Sequence, residues 1–454
     1  MNIHHILQQQ KVFFATHKTK NVSYRIQQLE KLKSVLHEHE EMLYDAIHQD
    51  FGKSPFDTFT TEISFILKDI TYFLKNLKRL SKPRKVATNL ANIPGRSRIY
   101  FEPLGNVLVI GAWNYPYQLS LSPMVAAIAA GNTCIIKPSE VAANTMVAMA
   151  KIINENFDPE LLHVAQGGVE ETTEILQLKF DKIFFTGSTR VGKIVYEAAA
   201  KHLTPIVLEL GGKSPAIVTE SADFEVTAKR IVWGKFLNGG QTCVAPDYVL
   251  VNEKIKDKFL EYLRSYILKF NYRSDSEHYT RIINEKNFDR LVQLIDPEKI
   301  YTGGNHDRSR LFIEPTILHN ISWDDKIMEE EIFGPILPVL TYPYFREALT
   351  EIQSREKPLA AYLFTNNEDE KKLFTSLVSF GGGCINDVIM HLSNPHLPFG
   401  GVGNSGMGHY HGRFSFETFS HQKAVLHRKW WGEPNLKYPP YSENKLKWIK
   451  RLLE

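Results

Sequence analysis

The 454-residue sequence has few cysteines: three, at positions 134, 243 and 384. So sparse and odd a set excludes a disulfide framework and suits a reducing, cytoplasmic setting. An excess of one charge is missing too. Lys and Arg number 54 against 51 Asp and Glu, and a formal net charge of +3 is too near balance to imply nucleic acid. No apolar run approaches the ~20 residues of a membrane-spanning helix. The opening MNIHHILQQQKVFF has no continuous apolar centre of signal-peptide type. There is no internal repeat and no low-complexity tract. What is present is ordinary for a globular protein, 43% hydrophobic and 23% charged residues. The length suffices for about three domains.

Residues 21–80 read as helices. Ile26, Leu29, Leu32 and Leu36 form one face, and Ile63, Ile66, Ile70, Phe73 and Leu77 another. Pro83 and Pro94 bracket a basic connector before a strand-like SRIYFEPLG. From Leu104 short apolar runs (LGNVLVIG, TCIIK, KIFFTG, PIVLELGG, SPAIV) alternate with helical stretches over 121–130, 142–156 and 189–202. Such alternation predicts a parallel sheet covered on both faces. A second α/β segment follows from 219 to about 394, with helices expected over 224–237 and 254–268 and strands over 248–251 and 359–364.

Ligands of open parallel sheets sit beyond the carboxyl ends of the strands. Those ends carry Asn114 in AWNYP, Lys137 and Glu140 in KPSE, the loop TGSTRVGK, and Glu209 before Gly211–Gly212. Each alone reads as a turn or a helix start; together they mark one rim. Three segments carry phosphate-loop patterns. GVGNSG (Gly401, Gly403, Gly406) has the G-x-G-x-x-G spacing but follows no strand. GGKS at 211–214 has Val207 where a Walker loop needs glycine. GSTRVGK at 187–193 lies between strand and helix but continues with Ile194, without the Mg²⁺-binding hydroxyl. A dinucleotide pyrophosphate at a helix N-terminus fits this loop without a metal.

Cys134 reads as a small buried hydrophobe and Cys384 as structural. Cys243 stands apart, on a loop after NGGQT at the mouth of a strand. A free thiol near pKa ~8.5 is only a few per cent ionised at neutral pH, so a reactive one needs help. Glu209 is the expected acid/base partner. A thiol, a carboxylate and a dinucleotide site together suit capture of an aldehyde as a thiohemiacetal, hydride loss to nicotinamide, and hydrolysis of the thioester.

At this point GAWNYP, IIKPSE, FFTGSTRVGK, VLELGGKSPAIV, NGGQTCVAPDYV, EEEIFGPILPV and LPFGGVGNSGMG, in this order from about 100 to 410, resemble the NAD(P)-dependent aldehyde dehydrogenase superfamily. GAWNYP, TCVAPDY and KYPPYSENKLK are most similar to its class 3 branch of fatty and aromatic aldehyde dehydrogenases. The resemblance implies Cys243 as nucleophile, Glu209 as the base for the deacylating water, and Asn114 with the Cys243 N–H as oxyanion donors. Cofactor contacts would come from Trp113, Lys137, Glu140, Gly187, Ser188, Val191, Gly192, Leu210, Gly211, Glu331 and Phe333. Tyr115, Leu119, Trp233, Leu237 and Thr242 would line the substrate tunnel. Glu140 should repel a 2′-phosphate and favour NAD, while NADP stays open for class 3 relatives. No metal is expected.

The implied fold is α/β: a Rossmann-type cofactor domain (1–81 and 104–209), an α/β catalytic domain (210–394), a small β oligomerisation element (82–103 and 395–430) and a tail (431–454). A homodimer is implied. In the tail, Leu446, Ile449, Leu452 and Leu453 form a helical stripe expected to dock on the protein, with peripheral membrane contact as the alternative. An acylating dehydrogenase passing the thioester to coenzyme A is the nearest rival, and Glu209 argues for hydrolysis instead. A thiol amidase or esterase, a nucleotide hydrolase and a non-catalytic binder are the remaining alternatives.

Overall fold

Two parallel sheets and one antiparallel ribbon organise the chain in the computed structural model, which describes residues 3–453. The first sheet is built from runs such as NVLVI (Asn106–Ile110) and KIFFT (Lys182–Thr186), buried at every position. Burial on both faces is why these runs are continuous rather than alternating. From Asn106–Ile110 the chain moves outward to Thr133–Lys137 and Leu162–Val164. It then crosses back to Lys182–Thr186 and Ile206–Glu209 on the other side. The order reverses between Asn106–Ile110 and Lys182–Thr186, the switch point where such sheets hold ligands. Helices Pro116–Ala130, Ala143–Asn154, Val169–Leu176 and Thr189–Ala200 make the crossovers.

Pro116 sits at the first helical position, where its fixed φ and missing N–H do no harm. The helix read over 121–130 therefore starts at Pro116. At its other end, Gly131 adopts the left-handed conformation (φ 96°). The buried Arg25 guanidinium donates there to the Ala129 carbonyl at 3.2 Å and to Thr19 at 2.6 Å.

The chain leaves the first sheet at Glu209 and enters the second at Pro215. This sheet has the order Ile300–Thr302, Thr316–Leu318, Ile336–Tyr342, Tyr248–Asn252, Pro215–Val218, Ala360–Phe364, Gly382–Ile385. Only its first strand is antiparallel to its neighbour. The ribbon joins Arg84–Val86 and Gly95–Pro103 to Ser420–Arg428, and the last strand is largely exposed.

Two features depart from the sequence reading. Gly406–Met407, inside the segment assigned to the oligomerisation element, pairs antiparallel with Glu209 and Leu208 and so edges the first sheet. A Cβ at Gly406 would meet the Leu208 carbonyl at 2.4 Å, so glycine permits this approach. In the tail stripe, on helix Glu443–Leu453, Leu446 is 54% exposed rather than docked, while Ile449 is half-buried. The side chains of Leu452 and Leu453 lie outside the described residues. No helix among the described residues is long and apolar enough to cross a membrane.

Phe184, fully buried in the first sheet, meets Tyr410 (ring centroids 5.0 Å) and Phe419 (5.9 Å), tying the late chain to the sheet. Phe184→Ala should cost about 3–5 kcal/mol, measured as a lower denaturant midpoint at unchanged slope.

Candidate active site

The thiol lies between the two sheets because of three successive residues in left-handed conformation: Asn238 (φ 56°), Gly239 (φ 60°) and Gly240 (φ 74°). They end helix Phe224–Phe236 and turn the chain sharply. Two of them also permit contact. A Cβ on Gly239 would meet the Thr280 carbonyl at 2.7 Å, and one on Gly240 the Gly334 carbonyl at 2.3 Å. Gln241 then fastens the turn: its Nε2 donates to Asn238 O (3.0 Å) and Arg281 O (3.1 Å), and its Oε1 accepts from Ile283 N (3.0 Å). From Asn238 to Asn252, Cys243 is the one residue not buried. Downstream, the Tyr362 hydroxyl donates to the Val244 carbonyl at 2.5 Å.

Asn114 and Tyr115 reach this loop from the first sheet. Asn114 Nδ2 donates to the Gln241 carbonyl at 3.0 Å, and its own carbonyl accepts from Asn238 Nδ2 at 2.8 Å. One amide hydrogen is thereby fixed, which leaves the second for another acceptor. The Tyr115 hydroxyl lies 2.6 Å from Thr242 Oγ1. Leu119 is buried one turn into the helix that follows, and Trp233 and Leu237 are half-buried where the preceding helix reaches the cysteine loop.

Glu209 ends its strand 2% exposed, and among the described residues neither carboxylate oxygen has a hydrogen-bond partner. Burial pushes it well above the usual carboxylate range. An unpaired buried carboxylate is costly unless something else meets it. Cys243 is half-buried as a residue, but desolvation around its sulfur pushes the thiol up to about 12, with Glu331 and Glu209 adding to it. The N–H groups of Cys243 and Val244 face the sulfur and partly offset that rise. The structure therefore brings Cys243, Glu209 and Glu331 within electrostatic reach of one another.

Glu331 lies over the glycine pair after Glu209: a Cβ on Gly211 would meet its Oε2 at 2.0 Å. Burial first, then Asp247, raises it to about 8, while the Gly212 N–H, Lys213 and Lys235 oppose the shift. Phe333, two residues on, has φ 52° and packs edge-on against Trp113 at 5.3 Å. The loop carrying both is held by Lys213, whose ammonium bonds Asp247 (2.6 Å), Glu330 O (2.8 Å) and Ile327 O (2.9 Å). Asp247 in turn accepts from Ile332 N at 3.0 Å. Lys235 is fully buried beside them, its Nζ without a hydrogen-bond partner among the described residues and its pKa lowered by burial to about 8. Lys213, Lys235 and Asp247 were not legible as site residues. Their one signal is position, within ELGGK, before the cysteine turn, and just after CVAP.

The other rim residues are spread along the strand ends. Lys137 is 1% exposed, donates to the Pro138 carbonyl at 2.7 Å, and lies 3.9 Å from the exposed Glu140. Burial lowers its pKa, with Glu140 and Glu171 opposing. Ser188 caps helix Thr189–Ala200 by accepting from Val191 N at 3.4 Å, and the Gly187 N–H donates to the Glu209 carbonyl at 3.0 Å. A Cβ on Gly192 would meet Leu210 at 2.7 Å, so this helix packs closely against the exit of the first sheet. GVGNSG, without a strand before it, backs this exit instead: Leu210 N donates to Ser405 O at 3.1 Å. Among the described residues no group of His, Cys, Asp and Glu is arranged to hold a metal ion.

The family model described as "Aldehyde dehydrogenase family" matches residues 1–425. The chain is 47% identical over 444 residues to 4,4'-diaponeurosporen-aldehyde dehydrogenase of Staphylococcus aureus, spanning 97% of this chain and 96% of that protein. It is 46% identical over 432 residues to the dimeric NADP-preferring aldehyde dehydrogenase of Rattus norvegicus, spanning 94% and 95%. A solved substrate-bound state of Staphylococcus aureus AldH matches with a TM-score of 0.97 and 46% identity over 100% of both chains.

With its pKa near 12, Cys243 in the free protein carries little thiolate at neutral pH. Iodoacetamide labelling of Cys243, followed by peptide mass, should accelerate about tenfold per pH unit from roughly pH 7 to 10. A plateau near pH 8 would show a thiol activated without ligand.

Proposed function

The chain belongs to the aldehyde dehydrogenase family, and from that premise we propose which residues perform each part of the reaction. That reaction is the NAD(P)-dependent oxidation of an aldehyde to its carboxylic acid. The observation that carries the assignment is the pairing of a partly exposed Cys243 with a buried Glu209 that no group among the described residues satisfies.

The residues fit a dinucleotide. Lys137 is a buried ammonium with one hydrogen bond, to Pro138, and acceptors on Glu140 beside it, a set suited to ribose hydroxyls. The loop 187–192, with Ser188, Val191 and the N-terminus of helix Thr189–Ala200, suits the pyrophosphate. Glu331 would grip the second ribose, and Leu210–Gly211, Trp113 and Phe333 would flank the ring. Bound there, a nicotinamide would supply the hydride acceptor for oxidation of the substrate carbon. Glu140 favours NAD, and the rat relative named as NADP-preferring supports retaining NADP as the alternative.

With its S–H proton released to solvent, Cys243 attacks the carbonyl carbon, so that a C–S bond forms as the C=O π bond opens. The carbonyl oxygen becomes an oxyanion that accepts from the free Asn114 amide hydrogen and the Cys243 N–H. One such donor is worth about 2.7–4 kcal/mol of barrier. After hydride loss the thioester is cleaved by water whose proton goes to Glu209, and the thiol is regenerated. A carboxylate held above its usual range is a stronger base once it ionises.

Tyr115, Leu119, Trp233, Leu237 and Thr242 would give a largely apolar, aromatic tunnel, which supports medium- or long-chain aliphatic or aromatic aldehydes. The division into cofactor, catalytic and oligomerisation segments set out from the sequence is retained, apart from Gly406–Met407. A homodimer is supported by the exposed strand Ser420–Arg428, where Val425 is 38% and Leu426 43% exposed, and by the rat relative being named dimeric. A cytoplasmic location is supported by three free cysteines. The exposed Leu446 supports peripheral contact of the tail with a membrane surface.

Glu209→Gln should release a burst of NADH and then stall as acyl-enzyme; undiminished steady turnover would refute its role as base. In a panel assayed with NAD and NADP in parallel, hexanal and benzaldehyde should outperform charged semialdehydes, and the reverse order would overturn the tunnel assignment.

A further inference from the structure

Lys53 and Glu62 form an ion pair of 2.7 Å with side chains 1% and 0% exposed. Replacing a buried ion pair with apolar residues is often neutral or stabilising, so stability alone is a weak reason for one. Its geometry supplies another. Glu62 Oε1 takes the Lys53 ammonium, while Oε2 accepts from Tyr117 N at 2.8 Å and Gln118 N at 3.4 Å. These are among the first N–H groups of helix Pro116–Ala130, whose own N-cap, Tyr115, makes no side-chain cap bond. Glu62 therefore caps the helix from a distance. It does so from a π-helical turn, Phe59–Ile63, the kind of local insertion that re-aims a side chain. Lys53 also places its ammonium 4.4 Å from the centre of the Tyr115 ring. Tyr115 bonds Thr242, next to Cys243, and Asn114 immediately precedes it.

We infer that the Lys53–Glu62 pair is a positioning device: it fixes the start of helix Pro116–Ala130 and the Tyr115 ring, and so holds the Asn114 amide over the Cys243 loop. This rests on the proposed role of Asn114 as oxyanion donor. Neither residue touches substrate; both act through Asn114. The far end of the helix is separately held by Arg25 and Gly131, so loss of the pair frees the end that carries the donor.

The test is a double-mutant cycle between Glu62→Gln and Asn114→Ala in the full-length enzyme. Glu62→Gln should lower kcat by roughly 10- to 100-fold, the effect of a displacement near 1 Å, with NADH affinity by fluorescence titration unchanged. In an Asn114→Ala background the same change should cost less than about threefold, because the donor it positions is gone. Lys53→Met/Glu62→Gln, which removes both charges together, should repeat the pattern and is the variant read if Glu62→Gln does not fold. A purely structural role would instead multiply the two losses, or weaken NADH binding. Either result, or a Glu62→Gln kcat within threefold of the parent beside an impaired Asn114→Ala, would overturn the inference alone. A fully active Asn114→Ala enzyme would overturn the oxyanion assignment beneath it.

Discussion

The site depends on backbone contact at Gly239 and Gly240. A side chain at either would strike a carbonyl, of Thr280 or of Gly334, and the latter belongs to the loop bearing Glu331 and Phe333. Because the chain turns left-handed there without a Cβ, the cysteine loop can lie between the two sheets and still touch both neighbours. Asn114 from one sheet and the 331–334 loop beside the other then meet it at fixed places. Bulk at either glycine would displace all of these together.

Electrostatics follows from that enclosure. Three ionisable groups, Cys243, Glu209 and Glu331, share a poorly hydrated space, and each holds its proton more tightly than in water. The positive charge nearby is directed at Glu331 and the loop rather than at the sulfur. Lys213 is occupied by Asp247 and two carbonyls, and Lys235 acts on Glu331. The resting arrangement thus biases the thiol and both carboxyl groups toward their neutral forms. Two N–H groups facing the sulfur provide the local means to stabilise negative charge when it develops. Preorganised dipoles of this kind need no rearrangement during the reaction.

Position relative to strand ends made much of the site readable. Runs such as NVLVI and KIFFT are apolar without alternation, and the polar residues that follow them fall on one rim. Short strands such as Thr316–Leu318, and the glycine-rich Gly382–Ile385, are too brief or too plain to announce themselves. GVGNSG was recognisable as lacking a strand before it, but not as the edge that backs Glu209 and Leu210, since antiparallel pairing with a distant strand leaves no local periodicity.

By itself the sequence determined the identities and order of the groups we propose to react: a thiol after paired glycines, a carboxylate at a strand end, an amide after another. It also determined the α/β alternation, because apolar periodicity is a local property. Only the tertiary structure decided that Glu209 has no hydrogen-bond partner among the described residues, that Asn114 spends one hydrogen on Gln241, and that Glu62 caps a helix begun far along the chain. Burial and hydrogen-bond satisfaction are properties of the space between segments, and no single segment encodes them.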